Sequence, residues 1–169
     1  NKATANELSE IQNKYLLRLD SFAHKALKLS RAMRMNASDK DVVGTELIDG
    51  LEITAYRAFH RAAILRYLIA LNTAKTKAQK QEAQHHLADA GSIRQRAQEI
   101  VTAREAQYRY STDRIARKSW DHTAYHFGYL YPASQLHFWN REEQQAKRNR
   151  YSAFFMNIWN VGRIVGLIK

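Results

Sequence analysis

Leu8, Ile11, Tyr15, Leu19, Phe22, Ala26, Leu29 and Met33 are separated by steps of three and four residues. That spacing puts an apolar side chain on the same side of every turn of an α-helix, and it does not fit a strand, whose faces alternate every second residue. It predicts a helix of about 30 residues, roughly 45 Å long at 1.5 Å per residue, with Lys14, Arg18 and Lys25 together on another face. A rod with one apolar side is marginal alone in water, so it has to lie against other rods.

The rest of the chain supplies them. Asn36 to Ser38 breaks the first pattern, and Ser38-x-x-Asp41 resembles a capping box that restarts a helix. Gly44 and Gly50 each cost about 1 kcal/mol inside a helix, which predicts a short separate helix over 38–50. From Ile48 the apolar stripe is strong again (Leu51, Ala55, Ala58, Phe59, Ala62, Leu65, Ile69), widened by a second row of Tyr56, Ala63 and Tyr67. Asn72 to Lys75 reads as a turn. A third helix begins in the polar stretch Thr76 to His86, then carries Leu87, Ala90, Ile93, Ala97, Val101, Tyr108 and Ile115. Gly128-Tyr-Leu-Tyr-Pro132 ends it, because proline disfavours helix at the residue before it. A last helix starts near Ser134, is polar from Asn140 to Arg150 with a Glu143–Lys147 pair, and is apolar from Tyr151 to Ile168. Asn157, Asn160 and Arg163 form a polar stripe in that apolar half, so a bundle helix explains it better than a membrane span. With only 6 Gly and 1 Pro in 169 residues, there are too few turn formers for an all-β fold. The expectation is an all-α protein: one domain over 1–169, an antiparallel up-down-up-down bundle of about four long helices.

The net charge of +11 directs the chain toward anionic partners, chiefly acidic protein surfaces or other protein subunits, with nucleic acid and peripheral membrane contact less favoured. The charge is spread: 11 basic and 8 acidic side chains fall in 1–74, 10 and 6 in 75–128, and 6 and 2 in 129–169. There is no basic tail and no dense positive face of the kind nucleic-acid modules carry. Cysteine is absent from the sequence, which excludes disulfides, cysteine-ligated zinc and thiol catalysis. The chain begins at Asn1 rather than Met, which favours a processed organellar or extracytoplasmic protein. Asn36-Ala37-Ser38 fits a glycosylation acceptor, a triplet that also arises by chance.

Thirteen of the 18 aromatic residues lie between Tyr108 and Trp159. Tyr108, Tyr110, Trp120, Asp121, His122, His126, Tyr131 and Trp139 are the candidates for lining a pocket for sugars, bases or other flat ligands. The alternative is that large rings close one end of the bundle. His122 and His126, four apart, have metal-ligand spacing but no third ligand fixed by sequence, so no metal and no cofactor is expected. Glu82-x-x-His85 is half of a di-iron carboxylate pattern without its second half. The adjacent Glu142 and Glu143 should point to different helix faces and not act as a matched acid–base pair. Arg141, Lys147, Arg148 and Arg150 form a candidate basic interaction face whose plain alternative is a solvated surface.

With no nucleophile elbow and no phosphate loop in the sequence, the reading that fits best is a non-catalytic helical protein-binding module, an accessory or scaffold subunit. Tyr, Trp and Arg, abundant here, are the side chains that dominate interface energetics. Two alternatives stay open: an extracytoplasmic four-helix ligand-sensing domain of a membrane receptor, and the helical domain of a carbohydrate-active enzyme.

Overall fold

The computed structural model describes residues 4–38, 41–107 and 136–148. These residues are helical apart from short connections, with no strand among them, and the helices pack on one another as an all-α bundle. We number them α1 (Ala5–Glu10), α2 (Leu17–Asn36), α3 (Val42–Thr73), α4 (Lys77–Glu105) and α5 (Leu136–Lys147). A six-residue π-turn, Ile11–Leu16, joins α1 to α2 without a break, so the first rod runs from Ala5 to Asn36.

The helix ends are made by polar side chains, though not always by those expected. Thr4 and Glu7 form a reciprocal capping box at the start of α1, and Thr76 and Gln79 form another at the start of α4. The second box explains why a helix begins firmly in the polar stretch after Thr76. Between α2 and α3 the cap is Asp41, not Ser38; its carboxylate accepts the Gly44 N–H at 2.9 Å. A β-carbon at Gly44 would collide with that carboxylate, so the glycine makes room for the cap. The expected short helix over 38–50 is therefore absent. α3 runs unbroken for 32 residues through Gly44 and Gly50, because tertiary packing overrides the modest helix penalty of glycine.

Ion pairs fix the topology. Asp20 of α2 pairs with Arg66 of α3, and Arg34 with Asp49, so these two helices are antiparallel. Arg104 of α4 reaches Asp49, and Gln84 reaches Tyr67, so α3 and α4 are antiparallel as well. α5 lies in the crease between α3 and α4. Leu136 and Trp139 join Ile53, Ala97 and Val101 in one core cluster; Ala146 joins Ala63, Ile64, Tyr67, Ala83 and Ala90 in a second. α5 thus runs with α3 and against α4.

The first rod departs from the expected stripe. In the π-turn the Leu17 N–H donates to the Gln12 carbonyl, five residues back, which inserts one residue into the helical count. Ile11 and Leu16, five apart, then share the inner side, and the buried positions continue as Ala23, Ala26 and Ser30. The core seam is shifted by one residue from the Tyr15–Phe22–Leu29 line. Those three large side chains remain 52%, 50% and 53% exposed. Small residues line the seam on the first rod, and on α3 it meets a row in which buried Ala55 and Ala62 alternate with Phe59, which contacts His24, and Arg66, which pairs with Asp20.

This register makes a direct prediction. Deleting Asn13 turns the π-turn into an ordinary turn that still keeps Ile11 and Leu16 together, so the stability read from urea unfolding should change by no more than about 1 kcal/mol. Deleting Lys28 rotates Ser30 and everything after it off the seam, including Arg34. That variant should lose about 3 kcal/mol or more in the same measurement.

Candidate functional site

α3 carries a row at steps of four and three that holds polar groups within apolar ones: Asp49, Ile53, Tyr56, His60, Ala63 and Tyr67. α4 and α5 cover this row, and only partnered polar groups are stable there. At one end Asp49 is buried. Arg104 donates Nε and Nη2 to its Oδ2 at 2.9 and 2.7 Å, while Arg34 donates to its Oδ1 at 2.8 Å and to Glu52 at 2.9 Å. One aspartate thereby ties α2, α3 and α4 together.

Midway along the row sits His60, with 0% of its surface exposed. Its Nε2 lies 3.0 Å from Oε1 of Glu143, and that carboxylate also accepts Nε and Nη2 of Arg94 at 2.8 and 3.3 Å. On the other side of the ring, Arg57 makes a two-pronged pair with Glu142 at 2.8 and 2.6 Å, and its Nη1 lies 3.3 Å from His60 Nδ1. A guanidinium has no acceptor to offer, so Nδ1 must accept from Arg57 while Nε2–H donates to Glu143. This assigns the neutral Nε2-protonated tautomer. Trp139, 1% exposed, closes the cluster, its ring 5.2 Å from the imidazole and 5.1 Å from the Arg57 guanidinium carbon.

Burial pushes both glutamate carboxyls up, but their partners outweigh it. The Arg57 hydrogen bonds and the charges of Arg57 and Arg61 leave Glu142 below the usual carboxylate range. Hydrogen bonds from His60 and Arg94, with the charge of Arg94, do the same for Glu143. Both acids are therefore anions whose lone pairs are occupied by basic neighbours. The cluster is a clasp of α3, α4 and α5 rather than an open acid–base centre.

Glu142 and Glu143 do not diverge as the one-residue offset suggests; their long side chains converge on the two sides of the same imidazole. Glu143 turns inward to His60 and Arg94 instead of along the surface to Lys147, which is exposed. Trp139 packs in the core and faces no groove. Tyr108, Tyr110, Trp120, Asp121, His122, His126 and Tyr131 lie outside the described residues, as do Arg150 and the apolar stretch 151–168. Of the basic face, Arg141 is half-buried with its guanidinium 5.9 Å from the Phe138 ring, and Lys147 and Arg148 are exposed. Glu82 and His85 are exposed on α4, and no group of three potential metal ligands occurs among the described residues. Among these residues no helix is long and apolar enough to cross a membrane.

One concave surface stands beside the clasp. α5 fills the crease between α3 and α4, but among the described residues no helix covers the neighbouring crease between the first rod and α3. It forms a groove of about 510 Å³ lined by Ile11, Tyr15, Leu19, Ile64, Leu65 and Leu68, with Arg61 and Glu142 as its polar side. Arg61 is more than half exposed and touches Glu142 at 3.4 Å, an acid already held by Arg57. The excess charge at this edge is positive. Neither the groove nor His60 is among the candidates that the sequence alone suggests. The signal for His60 was the row Asp49-Ile53-Tyr56-His60-Ala63-Tyr67; the groove has none, because it depends on how the first rod, α3 and α5 lie against one another.

The chain gives no significant match when compared with protein-family models, with curated proteins or with solved structures.

Both clasps can be tested by unfolding. Arg104→Ala leaves buried Asp49 with only the half-exposed Arg34, and should cost about 3 kcal/mol in urea unfolding, whereas Asp49→Leu combined with Arg104→Met should recover most of that loss. As for pH, a carboxyl with a lowered folded-state value stabilises above its unfolded value, near 4.5, and loses that contribution as pH falls through the folded value. Urea midpoints should hold steady above pH 5.5 or so and drop below about 4.5. The Glu142→Gln, Glu143→Gln double variant should be less stable at neutral pH and show a shallower acid limb.

Proposed function

We propose that this chain is a non-catalytic helical protein-binding module that serves a larger assembly as a scaffold or accessory subunit. One observation carries the reading: a core closed largely with alanine and serine along the first rod, while Tyr15, Phe22 and Leu29 stay half exposed and Tyr15 lines an apolar crease that no described helix covers. Contiguous apolar surface rimmed by charge marks interaction sites in soluble proteins. Met35, Val42, Val43 and Leu47, each at least 60% exposed around the α2–α3 hairpin, extend the apolar surface to that end of the bundle. The clasp chemistry points the same way, since Glu142 and Glu143 are committed to holding helices together.

Sedimentation velocity on the protein purified from its native source at low ionic strength tests this. The expected result is a stoichiometric complex with another polypeptide that loosens as salt rises. A solitary monomer over the whole concentration range, with no second polypeptide in stoichiometric amount, would remove the proposal.

A further inference from the structure

We infer that the crease between the first rod and α3 is the seat of one partner element, an acidic amphipathic α-helix from another protein. The inference rests on the protein-binding role proposed for the chain and gives it a place and a chemistry.

The shape of the surface calls for a helix. Tyr15, Phe22 and Leu29 recur every seven residues, with Arg18 and Lys25 between them, so the row Tyr15-Arg18-Phe22-Lys25-Leu29 advances by three and four along the rod. A seven-residue repeat is the seam against which a second helix lies at a shallow angle. The row extends about 21 Å at 1.5 Å per residue, the length of some four turns. α5 already shows the packing mode one crease over, where a short helix lies on two long ones. The groove of Ile11, Leu19, Ile64, Leu65 and Leu68 provides the apolar floor beneath the open position.

The charge calls for an acidic occupant. Arg18 and Lys25 are exposed within the row, and Arg61 stands in the groove lining with only a share of Glu142. Of the nearby acids, Asp20 is held by Arg66 and Glu10 by Lys14. Within the chain, residues 149–169 contain Arg150, Arg163 and Lys169 and no acid, and 108–135 contain four basic and two acidic side chains, so neither segment supplies the acids. A second copy would set the same basic row against itself. A foreign helix with leucine-like anchors at heptad spacing and Asp or Glu beside them satisfies both demands. Its apolar anchors would enter the groove beside Tyr15 and Leu19, and its acids would meet Arg18, Lys25 and Arg61.

Photocrosslinking tests the seat directly, with benzoylphenylalanine in place of half-exposed Phe22 in the full chain. The probe is a synthetic four-turn peptide with Leu at heptad positions and Glu at the flanking ones; controls are the same peptide with Lys flanks and a scrambled Glu-rich sequence. The expected result is a crosslink to the Glu-flanked peptide only. In fluorescence titrations Phe22→Asp should weaken binding about tenfold or more, and Arg18→Glu with Arg61→Glu should shift preference to the Lys-flanked peptide. A crosslink from position 22 into residues 149–169 overturns the inference by showing that the chain fills its own crease, and a crosslinked homodimer overturns it in favour of self-association. Equal binding of the ordered and scrambled Glu peptides reduces it to unspecific attraction between opposite charges. If the native protein sediments as a stoichiometric complex but position 22 crosslinks to none of these peptides, the binding-module reading stands and only this seat is lost.

Discussion

Asp49 and His60 are polar side chains enclosed among helices, and the bundle is arranged around the need to give them partners. Each is on α3, and each is satisfied by residues far along the chain: Arg104 is 55 residues from Asp49, and Glu143 is 83 residues from His60. A buried pair of this kind adds little net stability, because desolvation consumes most of the attraction, but losing one partner leaves a charge stranded. The consequence is specificity of register. A slip of one residue between α3 and α4 takes the Arg104 fork off Asp49, and a rotation of α5 removes Glu143 from the imidazole. Apolar contacts among alanines and leucines would tolerate such slips far better.

The first rod shows a different division of labour. Apart from Leu16, its large side chains are not the ones it buries. Ala23, Ala26 and Ser30 line the seam, and small residues let two helix axes come close enough for the Asp20–Arg66 and Arg34–Asp49 pairs to span the gap. The π-turn reconciles this seam with Ile11 and Leu16 upstream, since an extra residue in one turn rotates the downstream helix by roughly 100°. Tyr15, Phe22 and Leu29 are left half exposed on the shoulder of the bundle, where Tyr15 lines the groove. The irregular turn and the exposed apolar row are two aspects of one geometric choice.

How far the sequence disclosed this depends on which physical signal is local. Helix class, the breaks near Asn36 and Asn72, and the antiparallel order come from period and capping chemistry, which act within a few residues. Extrapolating a strict α-period through Ile11–Leu16 assigns the wrong seam, because the inserted residue is invisible until α3 demands it. Gly44 has the character of a helix breaker and serves the Asp41 cap instead, a matter of a carboxylate needing space. His60 was legible in principle as the polar member of a buried row. Its partners were not, since no spacing rule connects α3 to α5. Glu142 and Glu143 are separated by a 100° offset around the helix, but a flexible pair of side chains can embrace a ring lying between them.

The inward use of acids also changes what the net charge means. Asp20, Asp49, Glu52, Glu142 and Glu143 all form ion pairs with arginines that join one helix to another. Each carboxylate spent there is absent from the outer surface, while cations such as Arg18, Lys25, Lys147 and Arg148 remain on it. Each of these acids takes an arginine with it (Arg66, Arg104, Arg34, Arg57 and Arg94), so the whole excess of +11 falls on the charges outside the pairs. Such a field raises encounter rates with acidic partners over roughly a Debye length, near 8 Å at physiological salt, without selecting among them. Selection has to come from contact, where desolvated apolar anchors supply most of the energy and rim charges contribute little. An apolar groove bordered by arginine combines the two, drawing in acidic chains and retaining those that also carry a helical row of apolar side chains.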